Sequence, residues 1–212
     1  MTMTRIANIL RRATATAIAA LTASVAAFPA MAQAPARDGA AVADLETGCR
    51  KKDGDSCLAL GVRLLEGAPS AETRERAVEI LLQGCEHMSG AACGKAAANL
   101  AAPGATPDWP RMAKLFDRGC GLQDSWSCQT GAMIYYVGSG VTKDWVRARS
   151  MFTAGCGGSG DLVAKACRYA GTMYVAGQGG DKSEDIAKLM FKRACDKRDA
   201  ASCKVLNLPT PE

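Results

Sequence analysis

Histidine and aromatic residues are scarce in this 212-residue chain: one His, four Phe, four Tyr and three Trp. A single imidazole, His87, cannot assemble a histidine-based metal site, so no catalytic metal or other cofactor is expected. So few rings cannot fill a large single core, and another source of stability is needed. Charge of one sign is also missing. Of 26 basic residues three (Arg5, Arg11, Arg12) stand at the extreme N-terminus, leaving a balance of about +2 against 21 acidic residues. The cations are spread at helix-surface spacing, which excludes a nucleic-acid partner. Long apolar runs are absent except for Ala13–Phe28.

That run has the form of a leader. Arg5, Arg11 and Arg12 precede it, and Ala30-Met31-Ala32 is a small-x-small site followed by Gln33. Residues 1–32 are expected to be a Sec-type signal peptide cleaved after Ala32, leaving no membrane anchor on a secreted or periplasmic protein. No cysteine lies near that site, which argues against a lipoprotein. Residues 33–39 read as a linker.

What is plentiful is cysteine. Ten occur, as Cys49/Cys57, Cys85/Cys93, Cys120/Cys128, Cys156/Cys167 and Cys195/Cys203. The second members step by 36, 35, 39 and 36 residues, the period of a repeat array. Seven intervening residues do not suit structural zinc, which prefers two to four. With a leader present, a disulfide framework is the natural reading.

Each first cysteine closes an amphipathic pattern. Eight, four and one residues earlier stand Ala41/Leu45/Gly48, Ala77/Leu81/Gly84, Met112/Phe116/Gly119, Ala148/Phe152/Gly155 and Ala187/Phe191/Ala194. The i, i+4 spacing predicts a helix with one apolar face. Twelve residues before four of these cysteines lie Thr73, Asp108, Asp144 and Ser183, expected N-caps. A second helix is expected to start around each second cysteine. Four residues on comes a small residue (Gly61, Ala97, Ala132, Gly171), then Leu64, Leu100, Tyr135 or Tyr174, then a terminating Gly67, Gly138 or Gly177 with Pro103 as the exception. The short stretch Ala40–Cys49 is an orphan helix, four full hairpins follow, and residues 203–208 form a stub before the 209–212 tail. The fold class is all-α, an α-solenoid of TPR-like helical hairpins over residues 40–208, monomeric and stapled by disulfides.

Two pairing schemes are sterically possible. Eight residues of unbroken helix span ~12 Å, beyond the ~7 Å Cα separation a disulfide allows. Pairing within each couple therefore requires a chain reversal, for which Gly54, Gly90, Gly121 and Gly157-Gly158 are the expected turn residues. The rival scheme (57–85, 93–120, 128–156, 167–195) strands Cys49 and Cys203. Pairing as Cys49–Cys57, Cys85–Cys93, Cys120–Cys128, Cys156–Cys167 and Cys195–Cys203 leaves nothing unpaired and is preferred. The fourth pair carries three extra residues in Gly157-Gly158-Ser159-Gly160-Asp161.

The run Cys128 to Gly131, Tyr135, Gly138-Ser139-Gly140-Val141, Asp144, Ala148, Phe152, Cys156 resembles the Sel1-like repeat family, in particular its disulfide-rich branch of Helicobacter cysteine-rich proteins. Cys167, Gly171, Tyr174, Gly177, Gly179, Ala187, Phe191 and Cys195 repeat it, whereas the first two units depart from it with Leu64 and Leu100 in place of Tyr. The resemblance implies Sel1-like α-hairpins with Cys-x7-Cys bridges and an adaptor or host-interaction role. It also implies an alternative, since some members are described as β-lactamases or penicillin-binding proteins. That chemistry needs Ser-x-x-Lys and Lys-Thr-Gly, and neither occurs. Asp53 and Asp55 read as turn N–H acceptors and His87 as an exposed loop residue. The expected function is a non-catalytic scaffold that binds a protein or peptide on the face of the helices that follow the second cysteines. Its candidate contacts lie five and six residues past those cysteines: Arg63, Asn99, Met133, Ile134, Thr172 and Met173.

Overall fold

The computed structural model describes residues 34–101, 106–160 and 162–211, so the leader read in residues 1–32 lies outside the described residues. Ten helices and no strand occur among them: α1 (Ala34–Arg50), α2 (Gly54–Leu64), α3 (Ala71–Glu86), α4 (Gly90–Asn99), α5 (Trp109–Gly121), α6 (Ser125–Val137), α7 (Trp145–Gly157), α8 (Val163–Ala176), α9 (Glu184–Asp196) and α10 (Ala200–Val205). Residues 40–212 form one compact unit. Odd-numbered helices end at a first cysteine, and even-numbered helices carry a second cysteine on their first or second turn. Helices α2 to α10 pack on their neighbours in sequence, Val42 and Leu45 of α1 pack against Leu60 of α2, and α2, α4, α6 and α8 also lie side by side. This is an all-α solenoid.

The helix starts are set by side-chain caps. Asp108, Asp144 and Ser183 accept from the N–H groups of Arg111 (3.1 Å), Arg147 (2.9 Å) and Ile186 (3.3 Å). Thr73 is not a cap. Ser70 caps α3 by accepting from Thr73 N–H at 3.1 Å, which adds a turn to that helix. Helix α1 runs from Ala34, through the residues that the sequence reads as a linker. Pro35 sits in its first turn, where the missing N–H has no helical partner to lose.

In the first three pairs the reversal is not made by the expected glycine, whereas in the fourth the expected Gly158 is the C-cap of α7. In the four eight-residue pairs a non-glycine residue makes the turn. Lys52, Met88, Gln123 and Arg198 take the left-handed conformation, with φ of 67°, 69°, 65° and 66°. Each stands three residues after its first cysteine. The next N–H returns to the carbonyl five residues back: Asp53 to Gly48, Ser89 to Gly84, Asp124 to Gly119 and Asp199 to Ala194, at 3.0–3.1 Å. This six-to-one bond is the Schellman closure of a helix end. The residue that donates it is already the N-cap of the next helix. The Asp124 and Asp199 carboxylates accept from Ser127 and Ser202 N–H at 2.8 Å, and Asp53 from Asp55 N–H at 3.3 Å. One helix end and one helix start are thus fused into a single turn.

Gly54 and Gly90 have a different job: they open α2 and α4 where the next unit presses closest. A Cβ on Gly54 would lie 2.4 Å from the His87 carbonyl oxygen, and one on Gly90 would lie 3.0 Å from that of Gly119. Gly121 meets nothing and ends α5. His87 is half-buried as the C-cap of α3.

Five disulfides join Cys49–Cys57, Cys85–Cys93, Cys120–Cys128, Cys156–Cys167 and Cys195–Cys203, with Cα separations of 4.3–4.7 Å. So close an approach requires small residues beside the sulfurs. Gly48, Gly84, Gly119 and Gly155 precede the first cysteines; Ser56, Ala92, Ser127 and Ala166 precede the second. Each glycine's missing Cβ is filled by that partner or, at Gly155, by Ala166 and Cys128 together. Between the staples the main core runs through Phe116, Ile134, Tyr135, Met151, Phe152 and Met173.

Candidate interaction surface

The residues selected from sequence divide by burial. Ile134 and Met173, six past their cysteines, are 5% and 1% exposed and belong to the core beside Phe116 and Phe152. They cannot line a groove, and this corrects their assignment as binding residues. A position six residues after the cysteine points between neighbouring helices once units flank it on both sides. Met133, five past Cys128, packs half-buried on the same core, and Thr172 is exposed with its hydroxyl donating to Arg168 O at 3.0 Å. Arg63 is exposed and pairs with Glu66 at 2.8 Å. The Asn99 amide donates to Lys95 O at 2.9 Å. The six therefore form no common site.

The free face of the even-numbered helices carries partly buried rings instead. Trp126 meets Phe116 edge-on with centroids 5.6 Å apart, and the Lys95 ammonium stands 5.1 Å from its ring. Tyr169 stacks on Phe152 at 5.0 Å under the Arg168 guanidinium. These rings are covered by their own cations and by the core.

A more open feature lies at the opposite edge from the disulfides, where α6 gives way to α7. A cleft of about 580 Å³ is lined by Tyr135, Lys143, Trp145, Val146, Arg147 and the Gly179-Gly180 backbone, among others. Its floor is rigid. The Tyr135 hydroxyl donates to Asp117 Oδ2 at 2.7 Å and accepts from Arg147 Nη1 at 3.2 Å, while Arg147 stands 3.6 Å from Asp117 and 4.9 Å from the Tyr135 ring. Burial, reinforced by the Asp117 carboxylate, pushes the Tyr135 hydroxyl up to about 12. Tyr135 is therefore a neutral hydrogen-bonding strut and supplies no base.

The walls are set by a difference between repeats. Trp109 and Trp145 both follow their capping Asp. Gly140, with φ of 61°, lies over the Trp109 ring so tightly that a Cβ would come within 2.3 Å of Trp109 Cδ1. In the next unit Gly179 presses instead on the Trp145 carbonyl, 2.2 Å from where its Cβ would be. The Trp145 side chain is left 41% exposed, and Val146 beside it is 68% exposed. Ten residues before Cys49, Cys85, Cys120 and Cys195 stand Gly39, Glu75, Pro110 and Asp185, so this aliphatic step belongs to one unit. Sequence reasoning missed the cleft. Its signal was the aliphatic residue at a position that is charged or Pro in the other three complete units.

The described residues contain no group of three or more His, Cys, Asp or Glu arranged to hold a metal, and no free cysteine. No helix among them is long and apolar enough to cross a membrane. No family model matches the chain, and no curated protein matches it. Solved structures do. A Sel1 repeat protein from Oxalobacter formigenes superposes with a TM-score of 0.60 at 20% identity, over 78% of this chain and 66% of that one. The protective antigen c5321 of uropathogenic Escherichia coli, described as displaying an SLR fold, gives 0.62 at 17% over 78% of this chain and 35% of that one. The fold is that of Sel1 repeat proteins. The chain spans about two thirds of the first Sel1 structure and about one third of the second. Helicobacter pylori cysteine rich protein B aligns over 66% of this chain and 99% of its own at 21% identity, with a TM-score of 0.48.

Proposed function

We propose that the chain is a non-catalytic protein-interaction scaffold of an extracytoplasmic compartment, and that the Trp145 cleft is its recognition site. The observation that carries this reading is the exposure of Trp145 and Val146 over a floor fixed by Tyr135, Asp117 and Arg147. Aromatic anchors on a pre-ordered support lose little entropy on binding and dominate interface energetics. The five disulfides suit secretion or the periplasm, and the Sel1 fold presents repeated helical hairpins of the kind used for binding proteins. We take the leader to be removed after Ala32 and the mature chain to act as a monomer without a cofactor.

A photo-cross-linker in place of Val146, in the exported protein, should trap a partner that is not trapped from the Glu79 position on an earlier odd-numbered helix. Trp145→Ala should abolish that adduct. Identical adducts from both positions would reject the site. Turnover of nitrocefin by the purified oxidised protein would reject a non-catalytic scaffold.

A further inference from the structure

We propose that the Trp145 cleft selects a partner segment in which a carboxylate stands beside an aliphatic side chain. This rests on the scaffold reading and adds the chemistry of the partner. The apolar half of the requirement comes from Trp145 and Val146, whose exposed surfaces are contiguous in sequence and line one cleft. An aliphatic side chain laid against the exposed part of the indole, beside Lys143, and against the Val146 methyls removes apolar surface of both partners from water. Val146 is the only aliphatic residue at its position among the four complete units, so the apolar step is specific to this cleft.

The charged half comes from the balance of the lining. Lys143 and Arg147 face the cleft with Asp144 as the only carboxylate in its wall. Asp144 is already committed, because its Oδ1 caps α7 by accepting from Arg147 N–H at 2.9 Å. Lys143 makes no ion pair with any described residue; its ammonium stands 5.7 Å from the Trp145 ring centroid. Arg147 is held from behind by Tyr135 and Asp117, yet its side chain is still 52% exposed. A cation held in position binds a carboxylate without first ordering a long side chain. A partner's carboxylate thus finds the Lys143 ammonium, which has no ion-pair partner among the described residues, and the remaining donors of Arg147, whereas a partner's Lys or Arg finds only Asp144, one of whose oxygens already caps α7. Charge complementarity of this kind sets partner choice and association rate more than raw affinity.

The test uses the full mature, oxidised chain with uniform 15N labelling. The indole N–H resonance of Trp145 is assigned by its loss in Trp145→Phe. Three blocked peptides of equal length are titrated: alternating Glu-Leu, alternating Lys-Leu and alternating Ser-Leu. The Glu-Leu peptide should move the Trp145 signal and leave Trp109 and Trp126 in place, more weakly at high salt. Lys143→Glu, an exposed substitution that leaves the fold intact by circular dichroism, should weaken that peptide by about tenfold, roughly 1.4 kcal/mol. Equal shifts from Lys-Leu, or unchanged affinity in Lys143→Glu, would overturn the carboxylate preference while leaving a protein-binding cleft. No Trp145 shift with any of the three peptides would remove both. Broadening of Trp145 on raising the protein concentration alone would assign the cleft to a second copy. A response to phosphatidylglycerol vesicles but not to peptides would assign it to a membrane. Either of these outcomes overturns the proposal.

Discussion

Gly119 and Ser127 meet where the third staple draws α5 and α6 together. A Cβ on Gly119 would stand 2.8 Å from the Gly90 carbonyl oxygen and 2.4 Å from Ser127 Oγ, so one obstacle is backbone of the preceding unit and cannot swing aside. Gly119→Ala should destabilise by about 2 kcal/mol through overpacking. Ser127→Ala should cost nothing or stabilise slightly, because the Ser127 hydroxyl is fully buried and has no hydrogen-bond partner among the described residues. Urea unfolding of the two variants gives the comparison; equal losses would show that this contact is not close-packed. The glycines before the first cysteines were visible in the sequence as a recurring letter. Their use was not, because close approach depends on which backbone lies opposite. The same holds for Gly54 and Gly90, expected as turn residues and found as points of contact, while Lys52, Met88, Gln123 and Arg198 make the turns.

Helices α6 and α8 show how far periodicity carries. Each is framed by a capped start or a staple and ends in a left-handed glycine, Gly138 or Gly177, with φ of 83° and 69°. Cysteine, small residue and tyrosine spacing marks these helices and one apolar face. It does not say how wide the buried face is. With neighbours on both flanks the buried arc widens to include Ile134 and Met173, and only Met133 and Thr172 keep access to solvent. Ile134→Ala and Met173→Ala should each lose 2–5 kcal/mol, the range for truncating a fully buried aliphatic chain. Thr172→Ala should lie within about 0.5 kcal/mol of the parent, as surface changes do. Thermal unfolding separates them, and near-parent stability of Met173→Ala would contradict its place in the core.

The array has few rings and therefore leans on its covalent joints. Closing a loop of eight residues contributes roughly 2.5 kcal/mol in the chain-entropy model. The central staple Cys120–Cys128 joins units that share the main core, whereas Cys195–Cys203 ties down only the six-residue α10. Replacing both cysteines by Ala should lower the melting temperature more at the centre than at the end. In the end variant, hydrogen exchange should speed up in α10 and leave α5–α8 protected, since repeats interact mainly with their neighbours. Uniform loss of protection would mean that the last staple supports the entire array. The fold was legible because it is a local code repeated with small changes along the array: cysteine spacing, cap residues and a helical apolar period are set by residues within about a dozen positions of each other. The recognition surface is not local. Whether a tryptophan after a capping aspartate is roofed, as Trp109 is by Gly140, or left open, as Trp145 is beside Gly179, depends on where a loop some thirty residues further on crosses it. Sequence sets the repeating unit and its joints; the packing of one unit on the next decides which side chains remain to meet a partner.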